Sequence, residues 1–218
     1  MQIATVRRLL IGIAIVLPIA TLLLAQRSRP GGAEARLPIY WSVPRFSLLD
    51  QDSAQFTDAQ LRGHTWVASF VYTQCPDVCP LVTNRMAALR DELRADQRLG
   101  RVRLLSITVD PVRDTPGVLR DYASKFAAQK PDWVFLTGAL ETVIPLVNDG
   151  FHLTALHPAR HDEHEPTHQH DAQSLDYTVV HSDRLVLIDE TGSVRGTYAT
   201  TDTTALQQLR RDLANLTR

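Results

Sequence analysis

An α/β fold with a central mixed sheet flanked by helices is predicted by three features of the sequence. Near-continuous apolar runs at 64–72 and 102–109 are each followed by apolar residues at helical spacing, the pattern of parallel strands joined by crossover helices. Two further runs flank Glu190-Thr191-Gly192, as in an antiparallel hairpin near the C-terminus. No period of about twenty to fifty residues repeats, which sets solenoid architectures aside. With 218 residues, 44% apolar and 22% charged, the chain can build one core, and a formal net charge of -1 suggests neither disorder nor nucleic-acid binding.

The domain is expected over residues 45–218. Phe46–Leu49 and Gln55–Thr57, separated by Asp50-Gln51-Asp52-Ser53, read as a short hairpin. The aromatic and β-branched run His64–Tyr72 predicts the first central strand. Pro80 suits a first helical turn, and Val82, Met86, Leu89 and Leu93 lay an apolar stripe along a helix from Pro80 to Gln97. Val102–Val109 predicts a second buried strand; Asp110-Pro111 then turns the chain into a helix over about Thr115–Gln129, with Leu119, Tyr122 and Phe126 inward. Trp133–Leu136 follows as a strand and Leu140–Asn148 as a helix. Val179–His181 reads as a strand end before the hairpin of Leu185–Asp189 and Val194–Tyr198, and a last helix runs over Asp202–Leu216. The order ββ, βα, βα, βα, ββ, α mixes parallel crossovers with an antiparallel terminal hairpin, so a thioredoxin-like fold is expected.

Ahead of the domain, residues 9–25 form an uncharged apolar run after Arg7 and Arg8. At about 1.5 Å per residue it extends roughly 25 Å, enough to cross a bilayer. A cleaved signal peptide is the competing reading, but Leu22, Leu23, Leu24 and Gln26 around Ala25 lack a small-x-small cleavage pattern. Residues 1–26 are therefore expected to be a transmembrane anchor, and the Pro- and Gly-containing stretch 27–44 a tether. Arg7 and Arg8 favour a cytoplasmic N-terminus and a domain outside the cytoplasm, where a pair of thiols can be oxidised. The lack of an amphipathic, Arg- and Ser-rich presequence favours a bacterial inner membrane facing the periplasm over a mitochondrial one.

Cys75 and Cys79 are the only cysteines, in Thr73-Gln74-Cys75-Pro76-Asp77-Val78-Cys79-Pro80, between the first strand and its helix. Cys79 is expected at or near the helix N-cap, where unpaired N–H groups and the helix dipole favour the thiolate, the form that ligates metal and attacks disulfides. The pair could form a disulfide when oxidised or converge on one soft metal ion when reduced. As a purely structural disulfide it would close too short a loop to stabilise much. One residue more than the C-x-x-C of thioredoxin-type oxidoreductases argues for metal. His181 stands in the loop before the terminal hairpin, where thioredoxins place a cis-proline; no proline follows Pro166. A histidine there could complete a Cys2His site suited to copper and also to zinc, or could be a hydrogen-bonded structural residue.

These residues carry a family resemblance. FVYTQCPDVCP (70–80) resembles the Sco (SenC/PrrC) copper-chaperone signature; SITVDPVRDTPGVLRDYASKF (106–126), PDWVFLTG (131–138) and VVHSDRLVLIDETG (179–192) resemble further blocks of that family, in family order. The resemblance spans about 45–216, and separated blocks make chance agreement improbable. It implies that Cys75, Cys79 and His181 are copper ligands, for Cu(I), Cu(II) or both. It further implies that the protein assists assembly of the dinuclear copper centre of cytochrome c oxidase subunit II, or of a related copper-requiring oxidase. Periplasmic copper carriers or thiol reductants are the other implied partners. Val180 departs from the pattern, since many relatives carry an Asp before the histidine.

Asp77, Asp110, Arg113 and Asp114 are candidates to orient the cysteine loop, the last three because they follow a strand at the ligand-binding edge of an α/β sheet; capping and solvated ion pairing is the alternative. His157, His161, His164, His168 and His170 lie in an insert of few apolar residues that could gather metal near the main site or be a solvated loop. His64 and His152 are expected to be structural. The alternative function is a thiol-disulfide oxidoreductase or peroxide-reducing enzyme, with one cysteine attacking and the other resolving, which needs no histidine.

Overall fold

The computed structural model describes residues 37–153, 156–158, 177–179 and 182–217. Its main sheet has eight strands: β1 (Trp41–Ser42), β2 (Ser47–Asp50), β3 (Gln55–Thr57), β4 (Thr65–Val71), β5 (Val102–Thr108), β6 (Trp133–Thr137), β9 (Arg184–Ile188) and β10 (Ser193–Ala199). They lie in the order β1-β10-β9-β4-β5-β6-β2-β3. β4, β5 and β6 are parallel neighbours, and every other pairing is antiparallel. The mixed sheet expected from the element order is therefore present.

The central strands read as continuous apolar runs because both of their faces are covered. Along β4, Val67 and Val71 face one core while Trp66, Ala68 and Phe70 face the other, the period-two alternation of a pleated strand. The first face packs under helices α1 (Val78–Ala95), α2 (Pro116–Ser124) and α4 (Thr203–Leu216). Val82, Met86, Leu89 and Leu93 of α1 meet Leu119 and Tyr122 of α2 and Leu206, Leu209 and Leu213 of α4. The second face is covered by helix α3 (Leu140–Pro145), its π-helical continuation Leu146–Gly150, Phe151 and the β2–β3 hairpin.

Helix α2 ends well before Gln129. The Arg90 guanidinium takes the carbonyls of Phe126 (2.8 Å) and Ala127 (2.9 Å), and Ala127 adopts a φ of 51°, so these residues form a turn held by α1 instead of another helical turn. Tyr177–Val179 forms the strand expected ahead of His181. As β8 it pairs with β7 (Leu156–Pro158) in a separate two-stranded sheet, so the strand before His181 does not extend the terminal hairpin.

The largest correction concerns the tether. The compact unit begins at Leu37, so the 37–44 part of the expected linker belongs to the domain. Tyr40 N–H donates to the Val194 carbonyl (3.0 Å), and Val43 N–H to that of Gly192 (2.9 Å). Trp41 donates from Nε1 to the Gly150 carbonyl (3.0 Å), while its ring stacks on His152 with centroids 4.4 Å apart. Pro38 and Pro44 flank a strand of only two residues, too short for its periodicity to show. His152 and His64 are structural, the latter between the Arg62 carbonyl and the Arg103 guanidinium. The expected anchor, residues 1–26, lies outside the described residues; among those described, no helix is long and apolar enough to cross a membrane.

The turn between β9 and β10 is organised by one carboxylate. Asp189 accepts from the Thr191 and Ser193 N–H groups (2.9 and 3.0 Å), the Thr191 hydroxyl (2.6 Å) and Arg195 (2.6 Å). Arg195 reaches on to the Leu37 carbonyl, joining hairpin and N-terminal strap. Burial opposes the charge, but these donors outweigh it and hold the carboxyl below the usual carboxylate range. Asp189→Ala is expected to cost about 2 kcal/mol and lower the melting temperature by roughly 4–8 °C at neutral pH. Because the folded carboxyl titrates below the ordinary value of 3.8, its contribution is complete above that value and is lost as pH falls through the folded value. Melts of wild type and variant should therefore converge in strong acid.

Candidate metal centre

The parallel strands β4, β5 and β6 end along one edge of the sheet, where α/β folds place their ligand sites. Tyr72-Thr73-Gln74 leaves the end of β4 there and leads into Cys75. β9 runs antiparallel to β4, with Trp66 opposite Ile188 and Ala68 opposite Val186, so its first residue, Arg184, lies at that same edge. His181 precedes Arg184 by three positions and itself lies outside the described residues. His161, His164, His168 and His170 also fall outside them, while His157 lies in β7.

Cys75 and Cys79 are unbridged and both buried, at 4% and 3% exposure. Cys75 stands in the turn, its N–H donating to the Tyr72 carbonyl (3.2 Å), and its sulfur accepts the Cys79 N–H (3.3 Å). Burial opposes ionisation of Cys75, yet the N–H groups of Cys79, Asp77 and Val78 and the Cys79 thiol outweigh it, lowering its pKa. Cys79 is the opposite case. Burial pushes its thiol up to about 12, with the neighbouring Cys75 raising it further and only the Tyr72 N–H (3.4 Å) relieving it.

The expectation that the helix terminus would activate Cys79 is thus corrected. Helix α1 begins at Val78 with Asp77 at the N-cap, so Cys79 is already inside the first turn and among the core residues of α1. The N–H groups at the start of the helix point back into the turn before it, and the sulfur they meet there is that of Cys75.

Asp77 is exposed and makes no side-chain cap bond; it contributes through its backbone N–H to Cys75. Asp114 bonds to the chain just ahead of the cysteines. Fully buried, it accepts the Thr73 N–H (3.1 Å), the Thr73 hydroxyl (2.5 Å) and the Thr108 hydroxyl (2.6 Å), stapling the chain after β4 to the end of β5. Burial raises its pKa against these donors. Asp110 pairs with Arg113 at 2.8 Å. On the other side, the Thr83 hydroxyl donates to the Cys79 carbonyl (2.7 Å) and meets the Tyr122 hydroxyl (3.1 Å), clamping the first turn of α1 onto α2. The contributions of Tyr72, Thr73, Thr83 and Thr108 were not anticipated; the first two adjoin the cysteines in sequence, which was the available signal.

Two soft sulfur donors in mutual contact suit Cu(I), and an added imidazole would suit copper or zinc. Among the described residues no group of three His, Cys, Asp or Glu side chains could hold a metal ion.

Fold and site together define a thioredoxin-like protein whose thiol pair guards the N-terminus of its first helix, with one extra residue between the cysteines. Residues 41–218 match the SCO1/SenC family, and the chain belongs to that family. It is 32% identical over 114 residues to a Bacillus subtilis SCO1 protein homolog, covering 52% of this chain and 58% of that one. It thus spans somewhat more than half of that relative's length. It is also 32% identical over 193 residues to a Stutzerimonas stutzeri protein named for copper binding, covering 88% of this chain and 86% of the relative. Among solved structures, a SCO1/SenC family lipoprotein from Bacillus anthracis superposes with a TM-score of 0.68 at 29% identity, over 84% of this chain and 99% of that one. Bradyrhizobium japonicum ScoI with copper bound gives 0.58 at 26% identity, over 78% and 98%. BsSco, described as a member of the Sco family of cytochrome c oxidase assembly proteins, gives 0.66 at 24% identity over 83% and 96%, a likeness of fold.

The inequality of the two thiols is directly measurable. In metal-free Cys79→Ser protein, thiolate absorbance at 240 nm should rise with a midpoint below the ordinary thiol range, reporting Cys75. In Cys75→Ser protein it should rise only in strong alkali, because burial is the largest influence on Cys79. Equal midpoints would show that the helix terminus does not discriminate between the sulfurs.

Proposed function

We propose that this protein is a copper metallochaperone. Cys75, Cys79 and His181 bind one copper ion, which passes to the dinuclear copper centre of cytochrome c oxidase subunit II or of a related oxidase. The observation that carries this reading is the unbridged thiol pair at the C-terminal edge of the parallel strands, with backbone N–H groups lowering the pKa of Cys75. Family membership adds support, together with the copper-bound ScoI structure, the relative named for copper binding and the oxidase-assembly role attached to BsSco. The antiparallel register of β9 sets its first residue, Arg184, at that same edge, and His181 precedes Arg184 by three positions in the sequence.

The chemistry follows from the thiols. Cys75 is the more readily ionised thiol, Cys79 loses its proton as copper binds, and the imidazole is the third donor. Release proceeds by exchange of these donors for the thiolates of the recipient, with no net electron transfer. A Cys75–Cys79 disulfide has no thiolate for Cu(I), so oxidation closes the site to loading.

A second reading is favoured by the same asymmetry. A low-pKa thiol beside a protonated one is the arrangement of an attacking and a resolving cysteine, so the pair is also suited to reduce a partner's disulfide. His181→Ala separates the two. Copper affinity should fall on the order of a hundredfold or more, and the thiolate-to-Cu(II) absorption band should be lost, while reduction of an oxidised dithiol peptide continues. Retention of tight copper binding, with loss of reductase activity, would instead place the histidine in the dithiol chemistry.

The placement proposed for the domain is the periplasmic face of a bacterial inner membrane, held by residues 1–26. Its motivation is the apolar run behind Arg7 and Arg8. After cell fractionation the full chain should stay in the membrane pellet through a high-salt wash, and externally added protease should digest the domain in spheroplasts. Recovery in the soluble fraction would refute the anchor.

A further inference from the structure

We propose that the N-terminal strap is a membrane-docking surface, which lays Pro38, Ile39 and Tyr40 into the headgroup layer of the bilayer that carries the chain. Ile39 and Tyr40 are 64% and 60% exposed, the two most exposed large apolar side chains among the described residues. Pro38 beside them is exposed as well, and the stretch 37–44 contains no charged residue. These side chains are displayed from a fixed backbone. Tyr40 and Val43 donate their N–H groups to the β10 hairpin, and Trp41 is pinned by the Gly150 carbonyl and the His152 ring. A surface already held in place has little ordering entropy left to lose when it docks.

The inference rests on the anchor proposed above, and reach, chemistry and charge select a lipid surface as the occupant. Residues 27–36 are all that separates the proposed anchor from the strap. Ten residues of chain span at most about 35 Å, so the strap stays beside the bilayer and weak affinity suffices to keep it docked. A phenol ring with a polar tip beside an aliphatic side chain is the pairing that settles where headgroups meet acyl chains. Arg36 and Arg45 flank the uncharged stretch, and 27–36 holds Arg27, Arg29 and Arg36 against the single acid Glu34, a balance that complements anionic headgroups. The strap contains β1 at the margin of the sheet, whereas the cysteine loop follows β4, three strands away in the order β1-β10-β9-β4. At about 4.8 Å per strand, docking sets the thiols roughly 15 Å from the docked margin. It covers a side of the sheet and leaves the edge that carries the thiols open to a partner protein.

The test uses the full chain reconstituted into vesicles of brominated phosphatidylcholine mixed evenly with phosphatidylglycerol, compared with unbrominated vesicles. Trp41, Trp66 and Trp133 are the only tryptophans, and the last two are buried at 2% and 0% exposure, so bromine reaches Trp41 alone. The Trp41 ring lies 6.2 Å from that of Tyr40 and reports on the patch. Wild-type tryptophan emission should fall by about a third in brominated vesicles, because docked apolar groups sit at the headgroup and acyl boundary. The double variant Ile39→Ser, Tyr40→Ser keeps Trp41 and the backbone bonds; it should float with the vesicles and melt like wild type, yet lose the quenching. A wild-type chain that floats but stays as bright with bromine as without it would overturn the docking and leave the anchor standing; cross-linked dimers lost in the variant would then give the face to a second copy of the chain. Quenching as deep in the variant as in wild type would overturn the docking too. A chain that does not float with the vesicles would overturn the anchor, and the docking with it.

Discussion

The meeting of one sulfur with the start of one helix is the constraint around which the site is arranged. Helix α1 begins at Val78, and its unpaired N–H groups are satisfied by the Cys75 sulfur, which precedes them by a single turn of chain. The same contact satisfies orphan donors, fixes the loop and stabilises a thiolate. It also leaves Cys79 within the helix, buried and protonated, so two residues of one type acquire opposite character from positions four apart in the chain.

Buried hydrogen bonds keep the loop from relaxing out of this geometry. Asp114 holds Thr73 against the end of β5, and Thr83 and Tyr122 hold the Cys79 carbonyl against α2. Each is a polar group in an apolar surround, where an unmade bond is costly, so the network has essentially one satisfied arrangement. Beneath it lie strands buried on both faces, which give the loop a stiff platform.

Much of this was legible in the sequence. The strands of the core, the first helix with its stripe of Val82, Met86, Leu89 and Leu93, and the terminal hairpin follow from periodicity, because burial on known faces imposes it. The N-terminal strap was not legible. Trp41 and Ser42 form a strand too short to show alternation, flanked by prolines that read as linker, and Trp41 is held by Gly150 and His152 far along the chain. The end of α2 was likewise hidden, since Arg90 on a different helix takes the carbonyls that would have continued it.

By itself the sequence determined the class of fold, the position of the two cysteines between a strand and a helix, and the family, since these depend on local spacing and residue type. Only the tertiary structure decided which cysteine is the more acidic. That depends on where helix N–H groups point and how deeply each sulfur is buried, quantities set by the packing of α1 against the sheet and invisible in the spacing of Cys75 and Cys79 alone.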